Sequence, residues 1–509
     1  MKFPKADRVD VMLLLEGTFP YVSGGVSSWV NQIIRAFPEL SFGIVFLGSR
    51  PEDYGDQKYE LPANVKHLET HYLYENTPAP AKPTARPGDS EIFEGLKKLH
   101  TDFVLGAGNM EDGLDLFRHI SEKMLPGGGL PIEDFLHGER SWQIICDRYR
   151  EYCTDPSFVD YFWTVRIMHT PLWKLAEVAY GLIPARAYHS VSTGYAGFLG
   201  GLLRHIRKRP LILSEHGIYT KERKIDLFNS EWIRDNRNVF QRNPTELSYF
   251  RQMWILFFEW IGRFCYHAAD PIIALYEANR LRQVADGAQA ARTMNIPNGI
   301  SLERFGKLRH ERPETVPPVL CLIGRVVPIK DVKTFIRAMR RVVNQLPEAE
   351  GWVAGPEDED PAYAEECHNL VESLGLQDHI KFLGFQRLEA VLPKIGLTVL
   401  SSISEALPLV ILEGYAAGVP TVTTDVGSCR QLVEGLEPED RALGNAGAVV
   451  GIADPQALAD AALALLSDPE AWSAASRAGI ARVERYYADH LMFSRYRTVY
   501  ENALAAGDD

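Results

Sequence analysis

No two of the six cysteines stand as a Cys-x-x-Cys pair; Cys146, Cys153, Cys265, Cys321, Cys367 and Cys429 are scattered along the chain. Zinc-ribbon spacing is thereby excluded, and the pattern reads as free thiols, mostly buried, in a reducing compartment. No run approaches the roughly 20 apolar residues that span a bilayer. The opening Met1-Lys2-Phe3-Pro4 leads into a short apolar strand rather than a secretory leader, so a cytosolic protein is expected. Positive charge is in short supply: 54 Lys and Arg stand against 67 Asp and Glu, a net charge of −13. That balance argues against nucleic acid and acidic lipid as partners and still allows a local basic pocket. What the chain has is length: 509 residues at 46% hydrophobic content fill more than one core, so two or more domains are expected.

Apolar runs alternate with helical patterns over most of the sequence. Residues 9–15 form a near-continuous apolar run, as a buried parallel strand does, followed by a helix over 27–36 and a strand over 42–47. Residues 76–90 are rich in proline and small residues and predict a loop. Residues 91–180 carry aromatic and aliphatic side chains at helical spacing, broken at Gly127-Gly128-Gly129, and read as a helical insertion into an α/β domain. Strand and helix patterns then resume to about residue 297. A second, more compact set follows, with strands at 318–323, 351–354, 380–383, 397–400, 421–424 and 447–451. Strands separated by helices imply right-handed crossovers and parallel sheets. The expected fold is α/β: two doubly wound Rossmann-like domains over 1–300 and 301–485, and a C-terminal helix, 486–509, returning to the first. Ligands in such folds lie beyond the carboxyl ends of the strands, here between the domains.

Four places carry candidate chemistry. The first strand ends in Glu16-Gly17-Thr18-Phe19-Pro20-Tyr21-Val22-Ser23-Gly24-Gly25. Gly24 and Gly25 before a helix either pack closely or let a phosphate or sugar approach the backbone. Gly324-Arg325-Val326-Val327-Pro328-Ile329-Lys330 joins a strand to a helix, placing a planar guanidinium and a point charge on one short turn, where both can meet a diphosphate. Glu405 and Glu413 stand eight residues apart, the first in a loop after a strand, the second on a helix beginning near Pro408. Leu409 and Val410 open that helix, whose first N–H groups suit phosphate. Glu413 suits a vicinal diol such as ribose, and Glu405 suits sugar hydroxyls; the plainer alternative is a helix-end acid and a solvated one. His216, followed by glycine at a strand end, is either a ligand contact or a structural polar residue. His189 and His169 are weaker candidates, and Thr193-Gly194 offers backbone donors. Asp358-Glu359-Asp360 has the form of a metal motif but lies in a proline-bounded acidic stretch, more typical of a solvated loop.

Glu405 and Glu413, with Gly324-Arg325 and Lys330, resemble the signature of the large retaining glycosyltransferase family of GT-B fold that includes sucrose synthases, glycogen synthases and bacterial polysaccharide transferases. The opening 16–29 motif and the helical insertion resemble more narrowly the PelF family, soluble glycosyltransferases of Pel exopolysaccharide biosynthesis. The resemblance implies a UDP-sugar donor, a polysaccharide acceptor and transfer with retention; an Arg/Lys pair at a diphosphate has less need of a divalent ion, so no metal and no other cofactor are expected. It implies that Arg325 and Lys330 bind the diphosphate, Glu413 the ribose and Glu405 the donor sugar. It places the Gly24-Gly25 loop by the donor phosphate and acceptor, and His216 by the donor sugar. Inner-membrane Pel synthase components are the implied partners. Where many members have glycine after the first glutamate, this chain has Ala406. Two other readings share the scaffold: a UDP-sugar epimerase, which needs no acceptor, and a non-catalytic nucleotide-sugar-binding subunit.

Overall fold

The computed structural model describes residues 5–74, 88–105, 110–230, 232–238 and 247–507. Two compact units emerge: unit 1 comprises Met1–Ala274, Asn279–Asn295 and Arg497–Asp509, and unit 2 comprises Leu275–Ala278 and Ile296–Tyr496. Among the described residues no helix is long and apolar enough to cross a membrane.

Unit 1 is built on seven parallel strands: β1 (Val9–Glu16), β2 (Phe42–Gly48), β3 (Val65–Tyr72), β4 (Ala185–Ser190), β5 (Leu211–Glu215), β6 (Ile272–Ala274) and β7 (Thr293–Asn295). They lie in the order β3-β2-β1-β4-β5-β6-β7. β1 is buried on both faces, because helices cover the sheet on either side, which is why its sequence shows no alternation. β3 is a strand that the patterning does not announce. It sits at the sheet edge, and its polar residues serve each other: Glu69 accepts from His67 and His71, both at 2.9 Å. The hydrogen bond from His71 holds the Glu69 carboxyl below the usual range.

The helical insertion occupies the β3–β4 crossover. Helices Ser90–Leu105, Met110–Lys123, Ile132–His137, Glu139–Tyr152 and Phe158–Gly181 follow one another there, with a turn-rich break at 124–131 around the three glycines. The proline-rich stretch expected to be a loop lies, up to residue 87, outside the described residues. The helix Tyr249–Ala268 is buried along most of its length and joins the core of unit 1 through Phe257, Phe258, Ile261 and Phe264.

Unit 2 holds six parallel strands: β8 (Val319–Ile323), β9 (Glu350–Ala354), β10 (Ile380–Gly384), β11 (Leu397–Leu400), β12 (Thr421–Thr424) and β13 (Gly447–Val450), ordered β10-β9-β8-β11-β12-β13. The helix Val332–Gln345 packs Phe335, Ile336, Met339 and Val342 on one face of this sheet. On the other face lie Ile411, Leu412, Tyr415 and Val483. The helix Pro469–Tyr486 is anchored by Arg482, which is fully buried. Its guanidinium donates to Asp440 at 2.6 Å and to the carbonyls of Val433, Asp440 and Gly444 at 2.7, 2.9 and 2.9 Å. The C-terminal helix spans Asp489–Ala506, and the division between units falls within it, at Arg497.

Candidate active site

Each sheet reverses its strand order at one point, between β1 and β4 in unit 1 and between β8 and β11 in unit 2. A crevice opens beyond the strand ends at such a point. The charged candidates gather at these two places.

In unit 2, β8 ends at Ile323, and the chain turns through Gly324 and Arg325 into the 3-10 turn Pro328–Lys330. Asp331 then takes the left-handed conformation and caps the next helix, accepting from the Thr334 N–H at 3.2 Å. This fixes the direction of Lys330. Ser401, just past β11, donates to the carbonyls of Lys330 and Asp331, both at 2.9 Å, tying the two switch-point loops together. Lys330 Nζ meets Glu405 Oε1 at 2.6 Å, and Ser402 donates to the same oxygen at 2.6 Å. The Glu405–Ala406 backbone rests on Gly427, whose φ of +56° and whose approach to the Glu405 carbonyl admit no side chain: a Cβ there would stand 2.3 Å from that oxygen. Ser428 N–H donates to the Ala406 carbonyl at 2.9 Å, so the loop is held with alanine after the glutamate.

Arg325 does not converge with Lys330 on a shared group in this arrangement. It is half exposed and pairs with Glu359 at 2.6 Å. That pairing, together with Asp360 capping the helix Pro361–Ser373 through the Tyr363 N–H, absorbs two of the three residues of the acidic stretch. Among the described residues no group of three His, Cys, Asp or Glu is placed to hold a metal ion.

The helix Leu409–Ala416 starts one residue later than its pattern suggests, with Pro408 as its N-cap and no side chain capping it. Leu409 and Val410 thus present first-turn N–H groups without a side-chain acceptor. Glu413 lies one turn further on. Burial pushes its carboxyl up to about 7, against the pull of Arg304; Glu389 pushes the same way as burial. Arg304 is engaged by Glu389 at 2.6 Å.

Unit 1 builds a different site. Glu16 ends β1 and turns its carboxylate toward the helix Tyr195–Arg207. It accepts from the Ala196 N–H at 3.2 Å and from the Tyr219 hydroxyl at 3.0 Å, and Arg223 donates to that hydroxyl at 2.9 Å. Gly194 is indispensable to the pairing, since a Cβ there would lie 2.4 Å from the Tyr219 ring and 2.7 Å from Glu16. Of the backbone donors expected at Thr193-Gly194, the Gly194 N–H goes to Ser192 Oγ at 3.4 Å, and the helix N-terminus just beyond, at Ala196, is taken by a carboxylate of the chain itself, which the dipole favours. Glu16, Tyr219 and Arg223 as a set escape the sequence reading.

His216 follows β5 and is only 8% exposed. Its ring meets Trp29 edge-on at 4.6 Å, and burial pushes it down to about 4, so it is neutral at physiological pH. Its Nε2 is buried without a partner. The neighbouring Glu215 points the other way and is fully bonded, accepting from Tyr266 at 2.8 Å, Tyr219 N–H at 3.0 Å, Gln283 at 3.1 Å and Thr193 at 3.2 Å. His189 is structural: its ring nitrogens meet Tyr500 at 2.9 Å and Ser214 at 2.8 Å. His169 is likewise held, by the Val165 carbonyl at 2.8 Å. Gly24 caps the helix Gly25–Ala36 in extended backbone, and a Cβ at either Gly24 or Gly25 would meet nothing within 4 Å. Neither packing nor backbone conformation demands glycine there.

A cavity of about 770 Å³ opens over the unit 1 switch point, lined by Glu16, Thr18, Tyr74, His216, Tyr219 and Arg223 among others. The Thr18 hydroxyl, His216 Nε2 and Arg223 Nε, all from lining residues, are buried and unpartnered. Buried polar atoms usually find partners, so three in one cavity mark a place for a polar ligand.

The geometry has counterparts. Residues 317–468 match the family described as glycosyl transferases group 1, and residues 9–291 match that described as a domain of unknown function, DUF3492. The D-inositol 3-phosphate glycosyltransferase 2 of Catenulispora acidiphila is 32% identical over 38% of this chain and 50% of its own. The lipopolysaccharide core biosynthesis mannosyltransferase LpsB of Rhizobium meliloti is 27% identical over 43% of this chain and 65% of its own. The chain spans less than two thirds of the length of either relative. Among solved structures, sucrose-phosphate synthase from Thermosynechococcus elongatus aligns over 98% of this chain and 100% of its own with a TM-score of 0.57 at 17% identity. HepE of Anabaena, solved in complex with UDP, aligns over 97% and 100% with a TM-score of 0.57 at 14% identity. At such identities the likeness is one of fold, and the fold is GT-B. With more than half its length matched, the chain belongs to the family described as a domain of unknown function, DUF3492.

Proposed function

We propose that the chain is a retaining glycosyltransferase that moves a hexosyl or N-acetylhexosaminyl group from a UDP-sugar to a growing exopolysaccharide, in the manner of the PelF family. The observation that carries this reading is the Lys330–Glu405 pair at the β8–β11 switch point, inside the segment matching glycosyl transferases group 1. A diphosphate entering there takes Lys330 as its counter-ion. Arg325 exchanges Glu359 for the same ligand, and the N–H groups of Leu409 and Val410 meet phosphate oxygens. Freed of Lys330, Glu405 accepts from donor-sugar hydroxyls, and Glu413 accepts from the ribose diol.

The bond from the anomeric carbon to the diphosphate breaks with its electron pair leaving on UDP. Arg325, Lys330 and the helix N–H groups stabilise the charge that develops there. The acceptor oxygen bonds on the same face and its proton passes to the departing phosphate oxygen, so no protein nucleophile is needed. Two side-chain cations at the diphosphate supply the charge a divalent ion supplies elsewhere, and no cofactor beyond the co-substrate is invoked. On unit 1, the side-chain-free Gly24-Gly25 turn leaves space for phosphate or sugar, and the neutral His216 offers Nε2 to a sugar hydroxyl. A UDP-sugar donor places the enzyme in the cytoplasm, cooperating with inner-membrane Pel synthase components.

The test is calorimetric titration with UDP and a UDP-sugar panel, paired with NMR detection of released UDP. UDP should bind wild type, and Lys330→Ala should weaken it by about ten- to a hundredfold, the worth of one or two hydrogen bonds to a charged group. Release of UDP that depends on added acceptor supports transfer. Epimerised donor without that release assigns an isomerase instead, and binding with neither product assigns a nucleotide-sugar-binding subunit.

A further inference from the structure

A second and larger cavity of unit 1, about 1230 Å³, lies beside the first. The two share four lining residues, Arg50, Leu73, Tyr74 and Ile167, so they meet along a common wall. The second is enclosed by the end of β3, the glycine-rich 124–131 turn and one face of the helix Phe158–Gly181, and thus belongs largely to the insertion. Pockets for a single small ligand run to about 300–1,000 Å³, so the joined space exceeds what one sugar ring requires.

Its lining alternates flat aromatic faces with polar groups. Trp163 is 53% exposed on the insertion helix, and Trp232, on the wall of the first cavity, is 64% exposed. Arg166 lies over the Phe162 and Trp163 rings at 5.1 and 5.7 Å, and among the described residues no carboxylate pairs with it. Large aromatics left open beside a cavity mark a binding face. Hydrogen-bonding groups recur along the lining at Glu133, Thr170, Lys174 and Glu177. A lipid tail requires an unbroken apolar lining, which these interrupt. A saccharide chain has the matching character: each ring offers an apolar C–H face to an aromatic and an equatorial belt of hydroxyls to polar neighbours.

We infer that the two cavities form one trench for a saccharide chain, with the reacting end beside Glu16 and His216 and the older sugars lying in the insertion cavity against Trp163 and Arg166. The inference rests on the transferase reading and adds that acceptor length is sensed by the insertion. The experiment uses full-length protein with cello- and chito-oligosaccharide ladders of one to six residues, in two arms. In the first, acceptor KM in wild type falls with length and then levels off. Trp163→Ala raises KM for the six-residue acceptor by about tenfold, leaves the single-residue acceptor unchanged, and is rescued by Trp163→Phe. A KM–length profile identical in wild type and Trp163→Ala overturns the trench. In the second, isothermal titration calorimetry follows direct binding of the ladders to wild type and Trp163→Ala, without donor. Length-dependent binding lost in Trp163→Ala supports the trench even where no sugar is transferred, an outcome that removes only the transferase reading. Absence of saccharide binding, or binding of a short-chain prenyl phosphate in its place, overturns it.

Discussion

At the scale of single residues, the site in unit 2 sets binding against stability. Glu413 has an ordinary value of 4.5 and stands at about 7 in the fold, raised by burial. Its protonated form is therefore favoured by folding. The associated stability is fully present below about pH 4.5 and is lost as pH rises through about 7, by up to about 3 kcal/mol. Glu413→Gln, neutral at every pH, should raise the thermal midpoint at pH 8 and leave it unchanged at pH 4; equal shifts at both values would remove burial as the cause. The same ionisation governs the proposed ribose contact, which uses the acceptor-only carboxylate. UDP affinity of wild type should thus climb between pH 6 and pH 8, and this slope should vanish in Glu413→Gln, which also binds more weakly. The positions of Lys330, Arg325 and Glu405 in strand-to-helix loops, and of Glu413 one turn into a helix, were legible because the apolar runs mark those strands clearly. The set of Glu16, Tyr219 and Arg223 was not. The Glu16–Tyr219 bond closes over 203 positions, so the motif that Glu16 opens gives no sign of its partner. The distant signal is Gly194, a glycine whose reason emerges only when Tyr219 stands against it.

At the scale of elements, the helix Pro469–Tyr486 shows how far composition misleads. Its Ala-Arg-Val-Glu-Arg-Tyr segment carries three charged residues, yet Arg482 is fully buried and donates to Asp440 and nearby carbonyls. Removing one partner of a buried ion pair strands the other. Arg482→Met should cost about 3–5 kcal/mol in urea denaturation, and the double variant Arg482→Met/Asp440→Leu should recover part of the loss. With Asp440→Leu measured alone as the fourth corner, losses that simply add would mean that the pair is not coupled. Boundaries of the other unit 2 elements followed the sequence closely, since helix starts are announced by Asp-Pro pairs at 360–361, 454–455 and 468–469, each Asp capping its helix. β3 went unread for the opposite reason. An edge strand buries one face only, and its inward His67 looks polar until Glu69 is seen beside it.

At the scale of the whole molecule, the last turns of the C-terminal helix complete unit 1. Tyr500 is fully buried, meets the rings of Phe37 and Phe42 edge-on at 5.3 and 6.1 Å, and pairs with His189. Tyr500→Ala should destabilise unit 1 by about 3–5 kcal/mol, as large-to-small changes in a packed core do. A calorimetric scan should show the transition of unit 1 shifted and that of unit 2 in place; a uniform shift would mean that the two unfold as one. The alternation of strands and helices made both sheets legible. The return of the final helix to the first domain was expected, but not the side chains it meets there, because Phe37, Phe42 and His189 lie hundreds of positions away from it. This closure has a topological consequence. The backbone passes from one unit to the other at residues 274–275, 278–279, 295–296 and 496–497. A protease nick in any one of these links leaves the remaining three tethers unbroken. A recombination event that transplants 296–496 as a cassette has both seams at the border of unit 1, so nearly all of unit 2 can be exchanged while unit 1 keeps its first and last residues.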